Sequence, residues 1–191
     1  PTISPDGNTV YVGDVGSGVR KLHAVRVADG TMRWAFSATN VMYSAPTVSA
    51  NGDTVYCATT GQDPTGGVNK IHAVNAATGE ERWSSNPAAT YQYYSSTPTF
   101  SPDGNMLFVG ADNFKLYALD PADGSKIWES PTLGSYPARS SPAISAQAGL
   151  VFLGTREDHT LSALDMSTGA LRWSFVGRGQ ADLLSPSVSA D

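Results

Sequence analysis

Ala163-Leu164-Asp165-Met166-Ser167-Thr168-Gly169-Ala170-Leu171-Arg172-Trp173 occurs in this 191-residue chain in four versions, and its recurrence decides the fold. The first version runs from Ala24 through Asp29-Gly30 to Trp34, the second from Ala73 through Thr78-Gly79 to Trp83. The third runs from Ala118 through Asp123-Gly124 to Trp128. All four tryptophans of the chain close a copy, at spacings of 49, 45 and 45 residues. A fixed period in the forties marks a repeat architecture.

Working outward, each repeat opens on a proline and a short apolar alternation: Pro1-Thr2-Ile3-Ser4, Pro46-Thr47-Val48-Ser49, Pro98-Thr99-Phe100-Ser101 and Pro142-Ala143-Ile144-Ser145. Proline is tolerated at the first residue of a strand. Turns at Asp6-Gly7, Asn51-Gly52 and Asp103-Gly104, with a looser Gln147-Ala148-Gly149, then lead into Val10-Tyr11-Val12-Gly13 and its counterparts. Asp-Gly and Asn-Gly between apolar runs signal hairpins, because glycine takes positive φ without steric cost. A variable connection precedes a third strand, for example Lys21-Leu22-His23-Ala24-Val25, and the Gly30, Gly79, Gly124 and Gly169 turns reverse the chain into the tryptophan strand. Asn75, Asp120 and Asp165 are placed to cap these turns; Arg26 is not, so the first is expected to be less well tied.

Four short antiparallel strands per repeat describe a β-propeller blade, which buries its two faces only by stacking on neighbours. The expected fold is all-β, with repeats at residues 1–44, 45–95, 96–140 and 141–184. Residues 185–191 start a fifth blade through Ser185-Pro186-Ser187-Val188-Ser189. The tryptophans are expected to fill the gaps between consecutive blades.

The unit Ala-x-Asp-x-x-Thr-Gly-x-x-x-Trp, complete in repeat four and altered at Asn75, at Asp123 and at Arg26 and Asp29 in the others, resembles the docking motif of pyrroloquinoline-quinone-like propeller repeats. That superfamily includes quinoprotein alcohol dehydrogenases and non-catalytic outer-membrane assembly lipoproteins of bacteria, and the chain is closer in character to the latter. The resemblance covers essentially the whole chain. It implies that these blades belong to a ring of six to eight, so the remaining blades of the same chain are expected partners, and it leans toward an extracytoplasmic (periplasmic or secreted) setting.

Composition narrows the chemistry. A net charge of −5 with no basic stripe argues against nucleic acid as a partner, and no apolar run is long enough to span a membrane. Cys57 is the only cysteine, which excludes an internal disulfide; its repeat equivalents are Val12, Val109 and Leu153, so it reads as a small buried hydrophobe. The dehydrogenases of the superfamily carry a vicinal disulfide, and their cofactor needs a calcium site and a catalytic aspartate that no segment here matches. No catalytic, cofactor or metal residue is therefore expected; pyrroloquinoline quinone with calcium remains the alternative if the chain is a dehydrogenase fragment. His23 and His72 occupy one repeat position on adjacent blades, about 10 Å apart, too far for a shared zinc. His159 reads as a solvated loop residue.

The repeats differ most in the connections on one rim. There the candidate binding face comprises Gln62, Asp63, Tyr91, Tyr93, Tyr94, Tyr136, Arg139 and Arg178. Variable loops on a rigid scaffold carry binding, and Tyr and Arg are favoured interface anchors. The expectation is a non-catalytic module that docks another protein on this face. Exposed aromatics also keep a carbohydrate-binding propeller open, and tyrosines that merely cover blade edges are the plain alternative.

Overall fold

The computed structural model describes residues 1–14, 20–38, 40–60, 68–89, 94, 96–134, 140–155, 159–177 and 185–189. Sixteen strands form four antiparallel sheets, each meandering in chain order. Blade one is β1 (Thr2–Ile3), β2 (Thr9–Gly13), β3 (Lys21–Arg26) and β4 (Met32–Ser37). Blade two is β5 (Thr47–Val48), β6 (Thr54–Ala58), β7 (Ile71–Asn75) and β8 (Glu81–Ser85). Blade three is β9 (Thr99–Phe100), β10 (Leu107–Ala111), β11 (Lys115–Leu119) and β12 (Lys126–Glu129); blade four is β13 (Ala143–Ser145), β14 (Leu150–Gly154), β15 (Thr160–Asp165) and β16 (Leu171–Val176). There is no helix among the described residues.

Period two in the second strand of each blade sends alternate side chains to opposite neighbours. Val55 and Cys57 pack with Tyr11, Leu22 and Trp34 of blade one, while Tyr56 and Ala58 pack with Leu107, Val109 and Tyr117 of blade three. Phe108, on the other face of β10, joins Trp128, Val151, Leu153 and Leu164. Each core cluster thus straddles two blades, as stacking of sheets that cannot cover themselves requires.

Two local devices recur. In the first hairpin, Ser4, Ser49 and Ser101 each accept the amide of the residue that resumes the sheet (Thr9, Thr54 and Met106). Each of these hydroxyls also bonds the turn residue Asp6, Asn51 or Asp103, fixing the tight reversal. In the second, every third strand carries a register shift just before its glycine turn, between Ala24/Val25, Ala73/Val74, Ala118/Leu119 and Ala163/Leu164. The turn at Arg26 keeps the same two main-chain bonds as its counterparts, Arg26 N to Thr31 O at 2.8 Å and Gly30 N to Arg26 O at 3.0 Å. It lacks only the side-chain cap that Asn75, Asp120 and Asp165 supply to their own turns.

The expected fifth first strand falls on residues 185–191, of which 185–189 are described. Residues 185–189 pair in no ladder with the other described residues. Ser185 nevertheless repeats a contact of the preceding blades: its hydroxyl accepts from Ser141 N at 2.9 Å, as the Ser141 hydroxyl accepts from Thr97 N at 3.1 Å.

Candidate functional site

Meandering sheets send the first-to-second and third-to-fourth turns to one rim. A cleft there is lined together by Ser4 and Asp6, by Asn51 and Asp53, and by Asn75 and Ala77, from two successive blades. The carboxylates of these turns are committed to local bonds. The Ser4 hydroxyl and the Asn8 amide hold Asp6 down to about 2. Ser167, Arg172 and Thr168 together keep Asp165 well below the carboxylate range, and Thr31, Ser101 and Ser125 lower Asp29, Asp103 and Asp123. Hydrogen bonds from Lys115 and Lys126, both at 2.6 Å, lower Glu129 to about 2. Each is an ionised turn or strand anchor rather than a proton carrier.

On the opposite rim, each blade's exit meets its own second-to-third connection. Ala38 N bonds Arg20 O, Leu133 N bonds Phe114 O and Gly177 N bonds His159 O, each at 2.8 Å. In blade two, Tyr94 N reaches Thr59 O at 3.4 Å, and a β-bridge ties Val41 of the preceding exit to Thr60. A buried Asn40–Asn69 bond at 2.8 Å closes the base of the same long connection. The candidate residues Gln62, Asp63, Tyr91, Tyr93, Tyr136, Arg139 and Arg178 lie outside the described residues.

Tyr94 corrects the candidate face. It is 0% exposed, within the cluster between blades two and three. Its hydroxyl donates to Asn86 Oδ1 at 2.6 Å and accepts from Ala88 N at 3.2 Å, and burial pushes its pKa up. A phenol sealed in a blade seam packs the fold and offers nothing to a partner.

Three of the four tryptophans bond the turn of the next blade. The indole N–H of Trp34 donates to Ala76 O (2.9 Å), that of Trp83 to Pro121 O (3.0 Å) and that of Trp128 to Met166 O (3.2 Å). Each ring packs closely against the next blade's turn glycine: a Cβ on Gly79, Gly124 or Gly169 would come within 2.8, 2.5 or 2.4 Å of it. These glycines are required twice over, by positive φ and by the indole. At the fourth position Trp173 is 44% exposed, and Gly30 has nothing within 4 Å of where its Cβ would be.

Sequence reading missed a second clamp. The Ser96 hydroxyl bonds both N and O of Gly110, and Ser140 does the same to Gly154. The available signal was a serine 14 residues before the glycine that ends the second strand. Blade two has Ser44 and Ala58 at these positions, and the Ser44 hydroxyl is buried without a partner.

Among the described residues no carboxylate cluster suited to calcium is gathered, and the single cysteine of the sequence cannot form a paired-cysteine site. Cys57 is buried and its thiol is pushed up to about 12 by desolvation. No group of three or more His, Cys, Asp or Glu is gathered among the described residues. His72 is buried, its Nδ1 is held by Glu81 at 2.7 Å, and its ring meets Phe36 of blade one edge-on at 5.4 Å, which makes it an inter-blade packing residue. His159 is half-buried at φ +50°, with Nδ1 buried and unpartnered, rather than the solvated loop residue expected.

The family model described as outer membrane protein assembly factor BamB, a model of PQQ-like repeats, matches residues 2–132 and 67–190. The crystal structure of BamB from Moraxella catarrhalis superposes with a TM-score of 0.66 at 21% identity, covering 92% of this chain. The chain spans about half of that protein, 47% of its length. No curated protein sequence matches the chain.

Proposed function

Because the chain belongs to the family described as outer membrane protein assembly factor BamB, we propose that it is a non-catalytic propeller scaffold that holds another protein on its long-connection rim. The carrying observation is the division of labour between the rims. On the short-turn rim, side chains are used up in closing turns. The other rim carries connections that differ from blade to blade on anchored bases such as Val41–Thr60 and Asn40–Asn69. The proposed setting is extracytoplasmic, in the assembly of outer membrane proteins named by the family description.

A photo-crosslinking residue at Gln62 or Arg139 should capture a component of outer membrane protein assembly, and one at Asn51 or Asp103 should not. Adducts confined to the second pair would overturn the reading. We further propose that the chain binds no pyrroloquinoline quinone, which the buried thiol and the dispersed carboxylates support. Titration with quinone and calcium, followed by absorbance, should give no stoichiometric complex; a saturating one would reinstate the dehydrogenase alternative.

A further inference from the structure

The turn side chains of the short-turn rim are spent on closing their own turns, but two guanidiniums beside them are not. Arg33 of β4 and Arg82 of β8 line the same cleft between blades one and two, whose volume is about 490 Å³. Arg33 Nη1 donates to Thr9 Oγ1 at 3.0 Å, and Arg82 Nη2 donates to the main-chain oxygen of Asp53 at 3.1 Å. Both acceptors are neutral, and each uses one N–H of a fork that has several. Neither arginine lies within ion-pairing distance of a carboxylate among the described residues. Acidic residues nevertheless outnumber Lys and Arg by 17 to 12 in the chain.

The counterparts in the later blades are neutralised within their own blade. Arg172 Nη2 meets Asp165 Oδ2 of its own turn at 2.7 Å, and Lys126 Nζ meets Glu129 Oε2 at 2.6 Å. The position of Asp165 is Asn75 in blade two and Arg26 in blade one, so neither arginine has that carboxylate to fold back on. Two departures from the repeat motif thus leave two cations at one seam. A smaller side chain also lines that seam, because Ala76 stands where the later blades have Pro121 and Met166. Both walls belong to described blades, joined here by the Trp34 bond to Ala76 O.

From these two cations in one cleft we propose that the short-turn rim carries a binding site for a small organic acid, its carboxylates held by the Arg33 and Arg82 forks. A planar guanidinium matches a carboxylate through two parallel hydrogen bonds. Clefts of about 300–1,000 Å³ are of the size that encloses small molecules, so the ligand is a small acid rather than a folded domain. Asp6 and Asp53 line the cleft as well. Their oxygens already accept from Ser4, Asn8 and Asn51. Their fixed charges repel a compact phosphate dianion more strongly than the single, delocalised charge of one carboxylate. The site lies on the rim opposite the proposed protein-docking face and does not depend on what that face holds.

The test is calorimetric titration of the protein with glutarate, beside arms with glutamyl-glutamate and with inorganic phosphate. At least one of the two acids should bind saturably, the tighter one marking the source as a free diacid or a peptide end. Phosphate should bind more weakly than that acid. Arg33→Gln and Arg82→Gln should each weaken it at least about tenfold, by loss of charge-assisted hydrogen bonds. Asn75→Asp should weaken it too, because it rebuilds beside Arg82 the carboxylate that Asp165 gives Arg172. That variant keeps a capping oxygen for the turn, as Asp165 does in blade four, so its loss of binding would not come from unfolding. Arg172→Gln, outside the cleft, should leave binding unchanged. No saturable binding of either acid, tighter binding of phosphate than of both, or acid binding untouched by Arg33→Gln and Arg82→Gln would overturn the proposal.

Discussion

The Trp34, Trp83 and Trp128 junctions and the Trp173 position are built on the same motif, and they differ in whether another described blade lies against the indole. Trp34 and Trp128 are 9% exposed and hydrogen-bonded to the next blade; Trp173, in the same motif on the same kind of strand, is 44% exposed. The Ala-x-Asp-x-x-Thr-Gly-x-x-x-Trp pattern is therefore half of an interface. Its local geometry forms without a partner, whereas its stabilising energy needs the turn of another blade.

The largest expected effect breaks this comparison at its centre. Trp128→Ala should cost about 3–5 kcal/mol, since it empties a buried ring site and strands the carbonyl of Met166. Trp173→Ala should cost about 1 kcal/mol, because much of its ring already faces water. Denaturant melts would show this gap; equal losses would mean that Trp173 is docked after all.

The glycines sharpen the contrast. Gly124 and Gly104 share positive φ, +74° and +75°, but only Gly124 lies under an indole. Gly104→Ala should cost about 1–2 kcal/mol, the penalty of the left-handed region. Gly124→Ala adds overpacking against Trp83 of about 1–3 kcal/mol more. Similar melting midpoints for the two variants would deny that the ring and glycine meet.

A third comparison sets two serines at one repeat position against each other. Ser96→Ala removes the hydroxyl that holds both polar groups of Gly110, and should cost about 1–3 kcal/mol. Ser44→Ala removes a buried hydroxyl that has no partner, so stability should hold or rise slightly. Thermal melts of the pair would decide it, and a larger loss at Ser44 would reverse the assignment.

What was legible in the sequence follows from what repeats. Strand order, hairpin turns and the tryptophans' place between blades depend on residues present four times over, so register alone exposed them; that each indole packs on the next blade's turn glycine is tertiary. Tyr94 was misplaced because a tyrosine in a variable exit has the same letter whether its ring turns outward or into a seam; the Asn86 and Ala88 partners that decide the matter are tertiary. The Ser96–Gly110 clamp was passed over because serine is common here and its meaning lies in a pairing 14 residues away. Nor could spacing reveal that the Arg26 turn keeps its main-chain bonds, because those bonds do not depend on the side chain.

His72 distinguishes the first junction from the later ones, where Tyr117 and Ser162 take its place. Burial lowers its pKa, and the Glu81 bond offsets this only in part. The unfolded chain therefore takes up the proton first. Above the unfolded value of about 6.5 there is no effect, and below it stability falls as pH falls, by at most about 1.4 kcal/mol per pH unit. His72→Gln should flatten that part of the pH–stability curve, and an unchanged slope would exclude this imidazole as its source.

The smallest effect belongs to the turn that departs from the motif. The Arg26 turn already has the two main-chain bonds of its counterparts, and Asp29 adds a bond to Thr31 N at 2.9 Å. What is missing is the carboxylate that, at Asp165, accepts from the amides of Ser167 and Thr168, each at 3.0 Å. Arg26→Asp would offer the same acceptor to the amides of Ala28 and Asp29. A net exposed hydrogen bond is worth about 0.5–1.5 kcal/mol, and the negative charge of Asp29 nearby should hold the gain toward the lower figure. Arg26→Asn supplies the same acceptor without charge, as Asn75 does in blade two, and should gain slightly more. If both substitutions left the melting midpoint unchanged, the main-chain bonds alone would account for the turn, and the caps in blades two to four would be incidental to stability.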